Sequence, residues 1–168
     1  ADALSPAQSA LLRAFPDGRI AQRAMALLPS AADGDRSEAV KRFLPALQLR
    51  GNGPRGRPVY LARCAECHRF RGEGQEFGPD LEATRGPGKE WMLKRIVNPN
   101  QRVSPRAMVR VVETRHLGNL LGTIENETAA GIRLRRISGE IVALPRSAIG
   151  VVTSLEISAM PAGLEIGL

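Results

Sequence analysis

The chain's only two cysteines and one of its two histidines stand in a single run, Cys64-Ala65-Glu66-Cys67-His68. Two thiols three positions apart, followed at once by an imidazole, form the attachment pattern of a c-type haem. The thiols add to the haem vinyl groups, the spacing lets both reach one edge of the macrocycle, and His68 coordinates the iron from the proximal side. Other chemistry uses the same residue types. A zinc ion would need a fourth ligand; His116 is the only other histidine, it falls in an expected turn between strands, and His68 directly after Cys67 is awkwardly placed as a third. A disulfide or a thioredoxin-like dithiol is the remaining alternative.

The elements that must position this run differ along the chain. Residues 1–50 read as short helices. Ser5-Pro6 starts one through Leu11, Leu12 and Phe15, a second runs from Arg19 to Leu28, and a third from Arg36 to Gln48, where Pro45 bends or shortens it. They resemble the end of a helical-repeat array, or a helical hairpin capping the next domain. Gly51-Asn52-Gly53-Pro54 is a linker signal, so 1–52 is expected to be a repeat-like helical segment and 53–168 a second domain. A helix over 55–63 leads into the cysteines. From Phe70 to Gly88 glycines are frequent and periodicity is weak, which predicts a long loop held by something other than secondary structure. Trp91 to Val97 forms a short helix ended by Asn98-Pro99. Beyond Pro105 five short apolar runs, around Val109–Val112, Leu120–Ile124, Ile132–Ile137, Ile141–Leu144 and Ile149–Val152, alternate with turn residues. They predict a small antiparallel sheet or open barrel inserted at about 106–153.

Read in order, the Cys64–His68 run, then Gly78-Pro79-Asp80-Leu81, then Asn98-Pro99-Asn100 closing a helix, then Ser158-Ala159-Met160-Pro161-Ala162-Gly163-Leu164 resemble the haem-binding cytochrome c domains of planctomycetes and verrucomicrobia. The resemblance covers roughly residues 53–167. It implies an α+β fold: a mainly helical cytochrome c-like domain with an inserted antiparallel sheet or SH3-like open barrel, after a helical segment. It implies one covalent haem c, with Pro79 offering its backbone carbonyl to the second nitrogen of His68 and Leu81 packing on the ring. A metal-bound histidine normally donates its other N–H to such an acceptor. Met160 is the expected sixth ligand, because a thioether suits ferrous iron and raises the potential. It lies far along the chain from His68, but an inserted module at 106–153 roughly halves the separation. Trp91 could donate its indole N–H to a haem propionate and Arg85 could pair with one. The family pattern continues past the Met160 segment into a C-terminal helix that these 168 residues lack. Either that helix belongs to the protein beyond these residues, or residues 1–50 or a second subunit in a homodimer would supply its packing.

The expected function is one-electron transfer, with no enzyme chemistry of its own, outside the cytoplasm where c-type haems are attached. Electrons would come from a fused dehydrogenase or a separate, acidic redox partner, since the formal net charge is +7 and only Lys41, Lys89 and Lys94 stand among many arginines. Scattered arginines and few aromatics argue against a nucleic-acid partner. No apolar run approaches the roughly 20 residues of a membrane span. Two other functions remain open: a haem enzyme or gas sensor with an open sixth position, and a basic interaction module in which the haem is structural.

Overall fold

The computed structural model describes residues 9, 12, 13, 15, 17–28, 36–84, 86–136 and 138–167. The helix expected from Ser5 to Phe15 lies largely outside them, as do Arg85 and Ile137. Four helices are described: α1 (Gly18–Leu27), α2 (Ser37–Phe43), α3 (Gly53–Arg63) and α4 (Lys89–Val97). Each start has a local cause. The Asp17 side chain caps α1 by accepting from the Arg19 amide, and Asn52 caps α3 by accepting from Arg55, with Pro54 in the first turn. Pro45 shortens the third expected helix: α2 stops at Phe43 and tightens into a 3₁₀ turn over Leu44–Gln48.

A two-residue hairpin, β1 (Arg69–Phe70) with β2 (Glu73–Gly74), follows the cysteines, turning on Arg71 and Gly72, both at positive φ. Two adjacent left-handed residues match the twist of a hairpin. The larger sheet holds β3 (Met108–Thr114), β4 (Gly118–Thr128), β5 (Gly131–Arg135), β6 (Ile141–Pro145) and β7 (Ile149–Ser158) in the order β6-β5-β4-β3-β7, all antiparallel. Four strands meander, and the last returns to pair with the first. Register shifts in the β3–β7 and β4–β5 ladders bend the sheet around its core. Val112, Ile132, Leu134, Leu144 and Ile149 are buried in it, with Leu120, Ile124, Val142 and Val152 packed against them.

This overturns the expectation of a mainly helical domain. Strand and helix take about 29% and 33% of the described residues, so neither dominates, and the principal apolar core belongs to the sheet. The physical reason is the length and punctuation of the helices. Among the described residues none exceeds α3's 11 residues, α1 buries only Ala24, and α3 buries no residue at all. Strand alternation does better, because every second side chain of a short strand can face one core.

Residues ahead of the 51–54 linker pack against those behind it. Helix α2 and its 3₁₀ extension lie against α4, and Arg36, the residue before α2, forms a buried ion pair with Glu165 near the end of the chain. Among the described residues no helix is long and apolar enough to cross a membrane.

Truncation should separate the two regions. Leu134→Ala, at 0% exposure in the sheet, is expected to cost about 2–5 kcal/mol of unfolding free energy. Leu61→Ala, 41% exposed on α3, should cost less than about 1 kcal/mol. Urea unfolding of both variants checks this, and equal losses would mean that the sheet is not the principal core.

Candidate haem-attachment site

Helix α3 delivers the cysteines. Its last turn closes on Tyr60, whose carbonyl accepts from the amides of Cys64 and Ala65; the Cys64 carbonyl then accepts from Cys67 and His68. The five residues of the run thus form one tight turn with both cysteines and His68 half-buried. The following stretch, expected as a loop needing outside support, is held by the run itself. Gln75 donates its amide to the Ala65 carbonyl, Gly78 to Cys67 at 2.6 Å and Leu81 to Arg69 at 2.9 Å. Backbone groups of a stretch with little secondary structure thus find their partners in residues 65–69.

His68 Nδ1 lies 2.8 Å from the carbonyl oxygen of Pro79. A carbonyl can only accept, so Nδ1 carries the proton and Nε2 keeps its lone pair. That is the tautomer needed for ligation through Nε2, and the contact is of the kind that orients a histidine ligand. The ring lies on the backbone of Gly78: a Cβ there would meet Cε1 at 2.5 Å and Nδ1 at 2.7 Å. Only a glycine lets the imidazole approach so closely.

Tyr60 is a structural centre that the motifs did not reveal. Its hydroxyl lies 2.6 Å from the His68 carbonyl oxygen and 2.9 Å from that of Glu73, and its ring meets Phe70 edge-on at 5.8 Å. With one proton it donates to one carbonyl at a time, tying the attachment turn to the hairpin. Burial, then the nearby Cys64 thiol, raise the phenol above its ordinary pKa and keep it a donor. Gly74, at φ +92°, makes room for this cluster, because a Cβ there would collide with the His68 carbonyl. Arg57 on α3 donates through Nε to Glu73 at 3.0 Å, and that hydrogen bond holds the Glu73 carboxyl below its ordinary pKa. A tyrosine four residues before the first cysteine, on one helical face with it, was the available signal.

Cys64 and Cys67 are free thiols. Burial raises Cys64 despite Arg63 beside it; burial first, then Glu66 and Cys64, push Cys67 up to about 11. Reactive dithiols and zinc-binding cysteines favour the thiolate, which an electropositive setting would stabilise. Among the described residues no three His, Cys, Asp or Glu side chains converge as a metal-binding group. The dithiol and zinc alternatives therefore gain no support from the geometry.

The remaining expected residues are more dispersed. Leu81 is half-buried at the end of the 64–81 loop. Trp91 sits on α4 at 38% exposure with the Arg95 guanidinium over its ring at 5.4 Å. Arg85, expected to pair with a propionate, lies outside the described residues. Met160 is half-buried in the loop after β7, its amide donating to Ser158 Oγ at 3.1 Å. The link from that loop to the attachment helix runs through Arg63, which donates to the carbonyls of Leu164 and Ile166 at 3.3 and 3.1 Å. His116 is exposed in the β3–β4 turn. The sheet reaches the site's flank as well. A cleft of about 320 Å³ separates the hairpin from the β5–β6 turn, lined by Arg69, Gln75, Glu76, Arg135 and Ser138 among others. Its lining is polar, so it is a seam between modules and not a berth for an apolar macrocycle.

No protein-family model matches the chain, and no curated protein matches it. The cytochrome c reading therefore rests on the residues and their geometry.

The raised thiol of Cys67 has a direct consequence. In the haem-free chain its alkylation at pH 8 should be about tenfold slower than that of a cysteine with an ordinary thiol, the lower thiolate fraction being partly offset by greater nucleophilicity. The rate should climb as pH approaches 11. Peptide-resolved iodoacetamide labelling across pH checks it.

Proposed function

We propose that this chain is a c-type cytochrome domain that carries one haem, thioether-linked to Cys64 and Cys67 and ligated by His68, and that transfers single electrons. The observation that carries the reading is the hydrogen bond from His68 Nδ1–H to the Pro79 carbonyl beside two unpaired thiols. It leaves Nε2 as the ring's free donor atom, next to the residues that would tether a macrocycle. The resemblance to the planctomycete and verrucomicrobial cytochrome c domains points the same way.

The residues fit such a group. The 64–68 turn presents both thiols three positions apart, Gly78 and Pro79 set the plane of the imidazole, and Leu81 offers an apolar side chain close by. Met160 is proposed as the sixth ligand and Trp91 as a hydrogen-bond donor to a propionate. The haem, when bound, supplies the one-electron iron couple; the protein contributes axial ligands, ligand orientation and burial. An extracytoplasmic setting and a fused dehydrogenase or acidic redox partner belong to the same proposal. The partner's sign follows from the +7 formal charge.

Two variants test it. Protein produced with a c-type haem maturation system should gain the mass of one haem and show c-type visible bands; the Cys64→Ala, Cys67→Ala double variant should gain none. Absence of covalent haem in the parent protein would sink the reading. Met160→Ala should abolish the weak far-red ferric thioether-to-iron band and admit carbon monoxide to the ferrous form, while an unchanged spectrum would remove Met160 as a ligand.

Gly78→Ala examines the proximal support separately. The added Cβ would press on the His68 ring, and a displaced orienting bond typically costs a ligand about 10–100-fold in metal affinity. The expected outcome is attached haem whose His68 ligation is weakened, seen as a shift of the ferric spectrum toward high spin.

A further inference from the structure

We propose that the buried ion pair between Arg36 and Glu165 is a clasp that positions the loop carrying Met160, so that a residue ahead of the 51–54 linker sets the sixth ligand. The inference rests on the haem reading above and adds to it two positioning residues that no sequence motif marks.

Arg36 is 7% exposed and Glu165 4%. Arg36 precedes α2, while Glu165 sits in the turn that follows Met160-Pro161, and the pair joins them across 129 positions of sequence. The loop between them is pinned at its other end. Ser158 donates its amide to Asn100 Oδ1 at 2.8 Å and Ala159 to the Ala107 carbonyl at 3.0 Å. Pro161, Ala162 and Leu164 are buried, and Arg63 holds the carbonyls of Leu164 and Ile166. Met160 therefore lies between the end of β7 and a C-terminal turn that Arg63 holds by its backbone and the clasp holds by a side chain.

The chemistry of the pair favours a positioning role over a stabilising one. Arg36 Nε and Nη1 and Glu165 Oε2 have no hydrogen-bond partner among the described residues. An incompletely satisfied buried pair does not recover its desolvation cost well, and apolar residues of similar volume often stabilise a fold as much or more. What a charge pair offers in exchange is register. Apolar surfaces tolerate sliding, whereas a buried carboxylate must stay opposite its guanidinium. Pinning Glu165 to Arg36 fixes how far the 159–164 segment can shift, and with it the Met160 thioether.

The test uses the haem-loaded protein and the Arg36→Met, Glu165→Met double variant, in which neither charge is stranded, alongside Glu165→Gln. Two readouts are taken: the ferric thioether-to-iron band with carbon monoxide binding, and hydrogen exchange at the amides of residues 159–164 other than Pro161. In the double variant the thermal midpoint should be unchanged or raised. The thioether band should fall by about half or more, and exchange at 159–164 should quicken about tenfold while β5 amides keep their protection. Variants that fold and retain the full band and parental exchange would overturn the clasp. A parent protein whose band is unaffected by Met160→Ala would instead refute Met160 as the ligand, and the proposal for the sixth ligand would fall with it even if exchange quickens. Should Glu165→Gln fail to fold, the double variant still decides.

Discussion

The bond from His68 Nδ1–H to the Pro79 carbonyl is the constraint around which the site is arranged. It selects the tautomer, and so decides which nitrogen of the imidazole can donate electrons to a metal. To form, it requires the chain to return to the attachment turn eleven residues later. That return is what the amide bonds from Gln75, Gly78 and Leu81 to the carbonyls of Ala65, Cys67 and Arg69 accomplish. The glycine at 78 follows from the same demand, because the ring and the backbone occupy neighbouring space that no side chain could share. A stretch with little secondary structure is thereby made specific: nearly every turn of it answers a group in the 64–69 segment.

Around this loop the molecule divides its labour. The sheet holds the principal apolar core, while the short helices bury little and α3 leads into the Cys64–His68 turn. Helix α3 buries none of its residues, leaves Val59 and Leu61 substantially exposed, and is held instead by polar ties: Tyr60 to the carbonyls of His68 and Glu73, Arg57 to Glu73, and Arg63 to the C-terminal turn. An element tied by a few directional bonds has a defined pose without a large core of its own.

Charge follows a related division. Many of the acidic side chains are already engaged within the chain, as with Glu90 and Lys94 along α4, Glu125 with Arg133 and Arg135, and Glu127 with Arg146. Exposed pairs of this kind contribute little to stability. Each pair cancels one charge of either sign, so the +7 excess set by composition is carried by basic side chains outside these pairs. The buried pair of Arg36 and Glu165 is of another kind, since it lies out of water and joins segments from opposite ends of the chain.

Local patterns carried the Pro45 break and the strand-period runs after Pro105, because each depends on the conformational and hydropathic character of near neighbours; Asn52, read only as part of a linker, proves to cap α3. The Cys64–His68 run stood out by its residue types and spacing, whereas the Gly78-Pro79-Asp80-Leu81 segment took on a role only through the resemblance. Their contact was not legible from spacing alone; Pro79 was expected beside His68 through the resemblance, and the geometry supplies the distance. The balance of helix and sheet was misjudged, since helical periodicity in short, proline-punctuated segments says nothing about how much surface they will bury. Tyr60 as the tie between helix, turn and hairpin, the close seat of His68 on Gly78, and the Arg36–Glu165 clasp were decided by tertiary structure. Each pairs groups whose partners are chosen by where the folded chain passes, and a one-dimensional sequence fixes residue types and local conformation but leaves those crossings to the packing of the whole.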